Sequence, residues 1–209
     1  MDVIQSRREE LWNVVSHALG IILGVVGLIL LLVNDNGRTA FSTLSIFLYA
    51  LSIIILFSAS TIYHAVTSIR HKRIWRKIDH ISIYYLIAGT YTPVALITLE
   101  SGPGWTIFWI VWIIAIVGTF LKIFFTGRFE KLSLFLYLAM GWLIIFYIRD
   151  VMEVLSSSGL RLMLLGGIFY TLGTIFYALK KMRFHHVIWH FFVLAGAVSH
   201  FCMVFYEVI

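Results

Sequence analysis

The sequence predicts an all-α integral membrane protein, a single bundle of seven transmembrane helices with its N-terminus cytoplasmic and its C-terminus outside. Three observations predict it. First, 61% of the 209 residues are hydrophobic and only 12% are charged, whereas roughly a quarter of the residues in an ordinary globular domain are charged. Second, the apolar residues come in runs approaching the about 20 residues that cross a hydrocarbon core as a helix. Runs such as 44–57 and 105–125 show none of the two-residue alternation of a membrane barrel, so helices are the spanning form. Third, of the 16 lysines and arginines, all but Arg38, Arg149 and Arg161 fall on one side if the N-terminus is inside. Such an excess marks the cytoplasmic face.

The helices are expected near 11–33, 40–66, 80–99, 105–125, 131–149, 159–179 and 186–208. The first is too long for a signal-peptide core and lacks a cleavage pattern, so it reads as a retained anchor behind Arg7, Arg8, Glu9 and Glu10. Asn34-Asp35-Asn36-Gly37 ends it. The second runs back to a basic segment, Arg70, Lys72, Arg73, Arg76 and Lys77. The third contains Pro93, which should kink it, and stops at Ser101-Gly102-Pro103-Gly104. Thr126-Gly127-Arg128 closes the fourth, with Lys122, Arg128 and Lys131 inside, and Ser156-Ser157-Ser158-Gly159 separates the fifth from the sixth. Lys180, Lys181 and Arg183 precede the seventh. No linker, low-complexity stretch or internal repeat divides the chain. The net charge of +6 therefore reflects topology beside anionic lipid and not nucleic-acid binding. The lone Cys202 excludes an internal disulfide and a cysteine-rich metal site.

Ionisable groups inside a span are costly and mark function by default. His17 lies early in the first helix, Ser60 and His64 late in the second, Asp79 and His80 at the start of the third, and His186 and His190 at the start of the seventh. Given the alternating direction of the helices, all of these lie at cytoplasmic helix ends. The placement of lysines and arginines that set the topology did not require that agreement. His186 and His190 are spaced i, i+4 and share a helix face, so two imidazoles could hold one tetrahedral metal. His64 is the best-placed third ligand from another helix, Ser60 lies one turn before it, and Asp79 lies at matching depth. Three neutral imidazoles with one open position describe a catalytic zinc site. The spacing alone also permits a blander arrangement, in which helix-end histidines cap carbonyls or sit at the lipid interface. His17 is expected as a supporting group hydrogen-bonded to Asn13 one turn earlier, and His71, His80 and His185 as loop or helix-end residues. His200 lies about 15 Å along its helix from His190, outside any shared metal shell. Its separation from His186 would suit stacked haems, but no second helix carries a matching pair, which excludes haem.

Asn13-Val-Val-Ser-His-Ala-Leu-Gly20, Ser60-Thr-Ile-Tyr-His64, Lys77-Ile-Asp79-His80 and His186-Val-Ile-Trp-His190, running on to Ala197-Val-Ser-His200, follow one another along nearly the whole chain. In these pieces and their order the sequence resembles the progestin and adipoQ receptor superfamily, in its bacterial hemolysin III-like branch. The resemblance implies a seven-helix fold with a cytoplasmic N-terminus and zinc held by His64, His186 and His190. It further implies that Asp79 contacts the water on the zinc, that Ser60 is the serine before the first ligand, and that His200 stands outside the metal shell. The chain lacks the long N-terminal domain of the eukaryotic receptors, so hormone binding does not carry over. By analogy with those receptors and with alkaline ceramidases, the implied activity is zinc-dependent hydrolysis of a lipid amide, with membrane lipids as partners. Two other readings stand beside it: a non-catalytic lipid or membrane-state sensor with structural zinc, and a cytolysin or channel, although no segment looks like an amphipathic pore-former.

Overall fold

The computed structural model describes residues 5–126 and 129–209; the expected break at Gly127-Arg128, and the side of the membrane on which Arg128 sits, lie outside the described residues. Among the described residues there is no strand. Seven helices are long and apolar enough to cross a membrane: α1 (Arg7–Val33), α2 (Ser42–Ala65), α3 (Ile69–Thr98), α4 (Gly104–Phe125), α5 (Glu130–Val154), α6 (Ser157–Ala178) and α7 (His185–Val208). Leu19, Ile22, Val26 and Ile29 of α1 and Trp109, Ile113, Ile116 and Phe120 of α4 are exposed at helical spacing. In a membrane this apolar surface faces lipid.

α2 and α3 are the most buried spans and pack along each other. α1 lies against α2 and α7, α4 against α3, and α6 against α7, while α5 touches α3, α4 and α6 more sparingly. Packing of this kind leaves a cavity of about 120 Å³ walled by residues of α1, α2, α3, α5, α6 and α7.

α1 starts at a capping box, in which the Ser6 hydroxyl accepts from Glu9 N–H and the Glu9 carboxylate accepts from Ser6 N–H. α3 begins earlier than the hydropathy suggested. The segment from Ile69 to Asp79 is helical, so its arginines and lysines sit on a helix and not in a loop. Both residue types are good helix formers, and long basic stems can lie along apolar surface with their charges in water.

Among the described residues the spans depart from α geometry in three places, one of them the π turn Val204–Val208 that ends α7; the other two lie in α3 and α5. Pro93 has no N–H to donate, and the helix continues past it as a wider π turn over Val94–Thr98, closed by Leu99 N–H on Val94 O at 2.9 Å. The next turn is tight. A Cβ on Gly104 would lie 2.0 Å from Ala95 O and 2.5 Å from Leu99 O, so only glycine fits. α5 tightens to 3-10 geometry at Leu143–Tyr147. There the Tyr91 hydroxyl donates to Gly141 O at 2.8 Å and accepts from Ile144 N–H at 3.0 Å. One α3 side chain thus satisfies the groups freed within α5, as backbone polarity at membrane depth requires.

Candidate metal centre

α7 carries two of the three converging histidines. Its N-cap, Phe184, has a left-handed backbone with φ 58°, and its N–H donates to Glu9 Oε1 of α1 at 2.8 Å. The start of α7 is thereby tied to the start of α1. One turn apart, the His186 and His190 rings have centroids 4.7 Å from each other. His64, in the last turn of α2, lies with its ring centroid 5.0 Å from each of them. One ligand atom from each of His64, His186 and His190 falls within 4.8 Å of the other two. His64 and His190 are buried and His186 is partly so.

The outer contacts of these rings decide which nitrogens remain available. His64 Nδ1 is 2.6 Å from Glu10 Oε2, and a carboxylate can only accept, so Nδ1 carries the proton. His64 Nε2 is buried with no hydrogen-bond partner among the described residues. His190 Nδ1 faces Ser16 Oγ at 3.3 Å and Asn13 O at 3.4 Å. The Ser16 hydroxyl itself donates to Asn13 O, so both neighbours of that nitrogen can accept. In the His64 and His190 rings Nδ1–H is directed at an acceptor, leaving the Nε2 lone pair for a metal. Metal-ligating histidines are ordinarily oriented in this way. Three imidazoles without a thiolate or carboxylate suit Zn²⁺ and leave one tetrahedral position open. The residues present fit a zinc ion.

Asp79 and Ser60 are 9% and 1% exposed. They lie close enough to interact across the α2–α3 interface, and both line the central cavity together with His186 and His190. His64 is not part of that wall. Apolar side chains, Leu86, Ile87, Leu134 and Val193 among them, also line the cavity.

His17 is placed differently from the sequence expectation. It stacks on His190 with centroids 3.5 Å apart and planes 12° apart, and meets Phe57 edge-on at 4.9 Å. Neither of its ring nitrogens has a hydrogen-bond partner among the described residues. Asn13 is occupied elsewhere: its side-chain amide donates to Gln5 Oε1 at 2.6 Å and lies 3.3 Å from His64 Nδ1. The stacking also bars His17 from sharing a metal with His190. A ligated metal lies in the ring plane about 2 Å from nitrogen, and one ion cannot lie in two nearly parallel planes at this separation.

The other histidines separate cleanly. His71 is exposed on α3. His80 and His185, expected at loops or helix ends, are 8% exposed. His80 sits well inside α3, 3.5 Å from Lys122 Nζ and 3.8 Å from Glu130 Oε2. His185 opens α7 but turns its Nδ1 to Phe176 O at 3.2 Å. His200 engages Met163 O at 3.1 Å through Nε2, away from the cluster.

Sequence reasoning passed over Glu10, Ser16 and Lys72. Lys72 Nζ pairs with Glu10 Oε1 from the part of α3 read as a loop. A signal for Glu10 did exist: Glu10, Asn13 and His17 are spaced i, i+3, i+7 and so share one face of α1.

A family described as haemolysin-III related matches residues 5–201. The chain is 44% identical over 201 residues to the Hemolysin-3 homolog of Bacillus subtilis (strain 168), covering 95% of this chain and 94% of that protein. It is 42% identical over 201 residues to Hemolysin-3 of Bacillus cereus, covering 95% and 92%. It is 28% identical over 202 residues to the Monocyte to macrophage differentiation factor of Homo sapiens, covering 92% and 82%.

Proposed function

The chain belongs to the haemolysin-III related family as a multi-pass protein of the plasma membrane, and we propose that it is a zinc-dependent hydrolase acting on an amide bond of a membrane lipid. The observation that carries this reading is the meeting of three histidines, from the ends of α2 and α7, beside a cavity that also receives Asp79 and Ser60. His64, His186 and His190 would hold the ion. Bound there, zinc lowers the pKa of water to about 7 and polarises a carbonyl.

The chain's own residues supply the rest. Asp79, buried in the cavity wall, accepts the proton released at the reacting centre and returns it to the leaving amine. The Ser60 hydroxyl donates a hydrogen bond to the oxygen on which charge develops, and it does so in a low-dielectric site where such a bond counts most. Leu86, Ile87, Leu134 and Val193 offer an acyl chain an apolar wall, which makes a lipid the fitting substrate class.

Elemental analysis of purified protein tests the metal, and a lipid-amide turnover assay tests the chemistry. About one zinc per chain is expected in the wild type and little in His64→Ala and His190→Ala; equal zinc in all three would remove the centre of the proposal. Asp79→Asn should retain zinc and lose turnover, and turnover at the parental rate would refute Asp79 as the base.

A second reading rests on the cluster joining α2 to α7. If zinc is only a staple in a lipid sensor, His186→Ala lowers thermal stability while the wild type hydrolyses no lipid at all. The names of the Bacillus relatives point to lysis, a reading that leakage from liposomes carrying the purified protein would support and intact liposomes would oppose.

A further inference from the structure

We infer that Glu10 is a positioning residue for the metal centre: its carboxylate fixes the ring of His64 and directs Nε2 of that ring to the ion. The inference rests on the reading of His64, His186 and His190 as a zinc site, and it names a fourth residue on which that site depends.

The geometry is specific. Glu10 divides its two oxygens between two partners, Oε2 to His64 Nδ1 at 2.6 Å and Oε1 to the Lys72 ammonium. The carboxylate comes from the first turn of α1, the imidazole from the last turn of α2 and the ammonium from the first turn of α3. Lys72 also lies over the ring of Tyr63, the residue before His64, at 5.2 Å from its centroid. The lysine therefore cannot drift from the carboxylate without leaving an aromatic face that attracts it.

Each contact constrains the next. An ionised carboxylate beside an ammonium stays an acceptor, and the short contact to His64 requires Nδ1–H. With the proton committed there, the only lone pair on the ring is on Nε2, the buried atom with no partner among the described residues. A carboxylate behind a ligating histidine holds the tautomer and the ring angle and makes the free nitrogen a better donor. His190 has weaker support, two neutral oxygens at 3.3 and 3.4 Å, so the charged support of the site is concentrated on His64.

A plain tie between helices is the competing explanation, since Glu10 links α1 to α3 through Lys72 whether or not a metal is bound. The two differ in what each variant disturbs. Glu10→Gln keeps the shape and removes the charge behind His64. Lys72→Met cuts the tie to α3 and leaves the carboxylate on His64.

The experiment is zinc affinity of the full-length protein in detergent, measured by chelator competition, together with the visible spectrum of the Co²⁺-substituted protein. Wild type and His190→Ala are measured first. Zinc in the former and none in the latter upholds the three-histidine reading; a wild type that binds no zinc overturns that reading and the role of Glu10 with it. With zinc established, Glu10→Gln should weaken affinity by about 10–100-fold and shift the cobalt bands, because the angle of the ligand has changed. Lys72→Met should weaken it by clearly less. A glutamine variant with parental affinity and parental cobalt bands overturns the inference and leaves the zinc site standing. So does a methionine variant that loses as much as the glutamine one, which would make the helix tie the cause. Should Glu10→Gln not fold, Glu10→Asp carries the same test: it keeps the charge but withdraws the carboxylate by one methylene, and unchanged affinity there counts equally against the inference.

Discussion

Replacing His17 with phenylalanine separates a three-histidine centre from a four-histidine one. His17 is buried at 3% exposure, stacked on His190 at 3.5 Å and unpartnered at both ring nitrogens among the described residues. A metal shared by these two rings would lie about 1.7 Å out of at least one ring plane on a bond only about 2 Å long, a geometry no imidazole lone pair supports. Phenylalanine keeps the face-to-face contact with His190 and the edge contact with Phe57, and it removes the two polar atoms. A buried polar group without a partner costs about 1–3 kcal/mol, so the zinc-free variant should gain on the order of 1–3 kcal/mol. For a chain of this length that corresponds to about 2–12 °C in melting temperature. Zinc content should stay at the wild-type level, with affinity changed far less than in His64→Ala. The assay is elemental analysis plus a melting curve of zinc-stripped protein in one detergent. Zinc lost from His17→Phe as completely as from His64→Ala would refute the stacking argument and make His17 a ligand.

Other perturbations probe the frame and the chemistry. Tyr91→Phe removes the hydroxyl that serves both Gly141 O and Ile144 N–H; one abandoned buried donor costs about 1–3 kcal/mol, so a lower melting temperature is expected, and parental melting would mean that α5 satisfies its own break. Gly104→Ala sets a Cβ against two backbone carbonyls and should be among the least stable single variants, which a yield of folded protein near wild type would contradict. Ser60→Ala should lower turnover by about 10²–10³-fold if its hydroxyl serves the developing oxyanion, with zinc content unchanged; a loss of zinc instead would give Ser60 a structural role. Lowering the pH should release zinc, because the metal-bound protein carries fewer protons on its histidines than the metal-free one, so acid favours the metal-free form. The melting curves of wild type and His190→Ala should therefore differ most at neutral pH and draw together as the pH falls, as a pH series of melts would show.

What the sequence revealed and what it concealed divide along one physical line. The seven spans were legible because lipid requires long apolar runs, and the candidate ligands were legible because lipid makes an imidazole or carboxylate conspicuous. Both are properties of single segments. Sequence hid the part of each polar group's surroundings supplied by charges that look ordinary where they stand. Glu10 sits in a first helical turn, where an acidic residue is favoured in any protein. Lys72 sits in a basic run, where a lysine after a span is expected in any membrane protein. Each therefore had a sufficient local explanation, and only the meeting of α1, α2 and α3 puts Glu10 on His64 and Lys72 on Glu10. The same reasoning applies to His80, whose position next to the basic segment suggested a loop. The hydropathy used to locate helix starts cannot register turns of helix made of arginine and lysine, so α3 was cut short and His80 placed at an end it does not occupy. His17 shows the converse. Its i, i+4 relation to Asn13 is real helical geometry, but Asn13 turns to Gln5 and His64 instead, and His17 is held by its stack on His190. In a chain of this kind, periodicity identifies which polar residues share a face, and the packing of neighbouring helices decides which of them become partners.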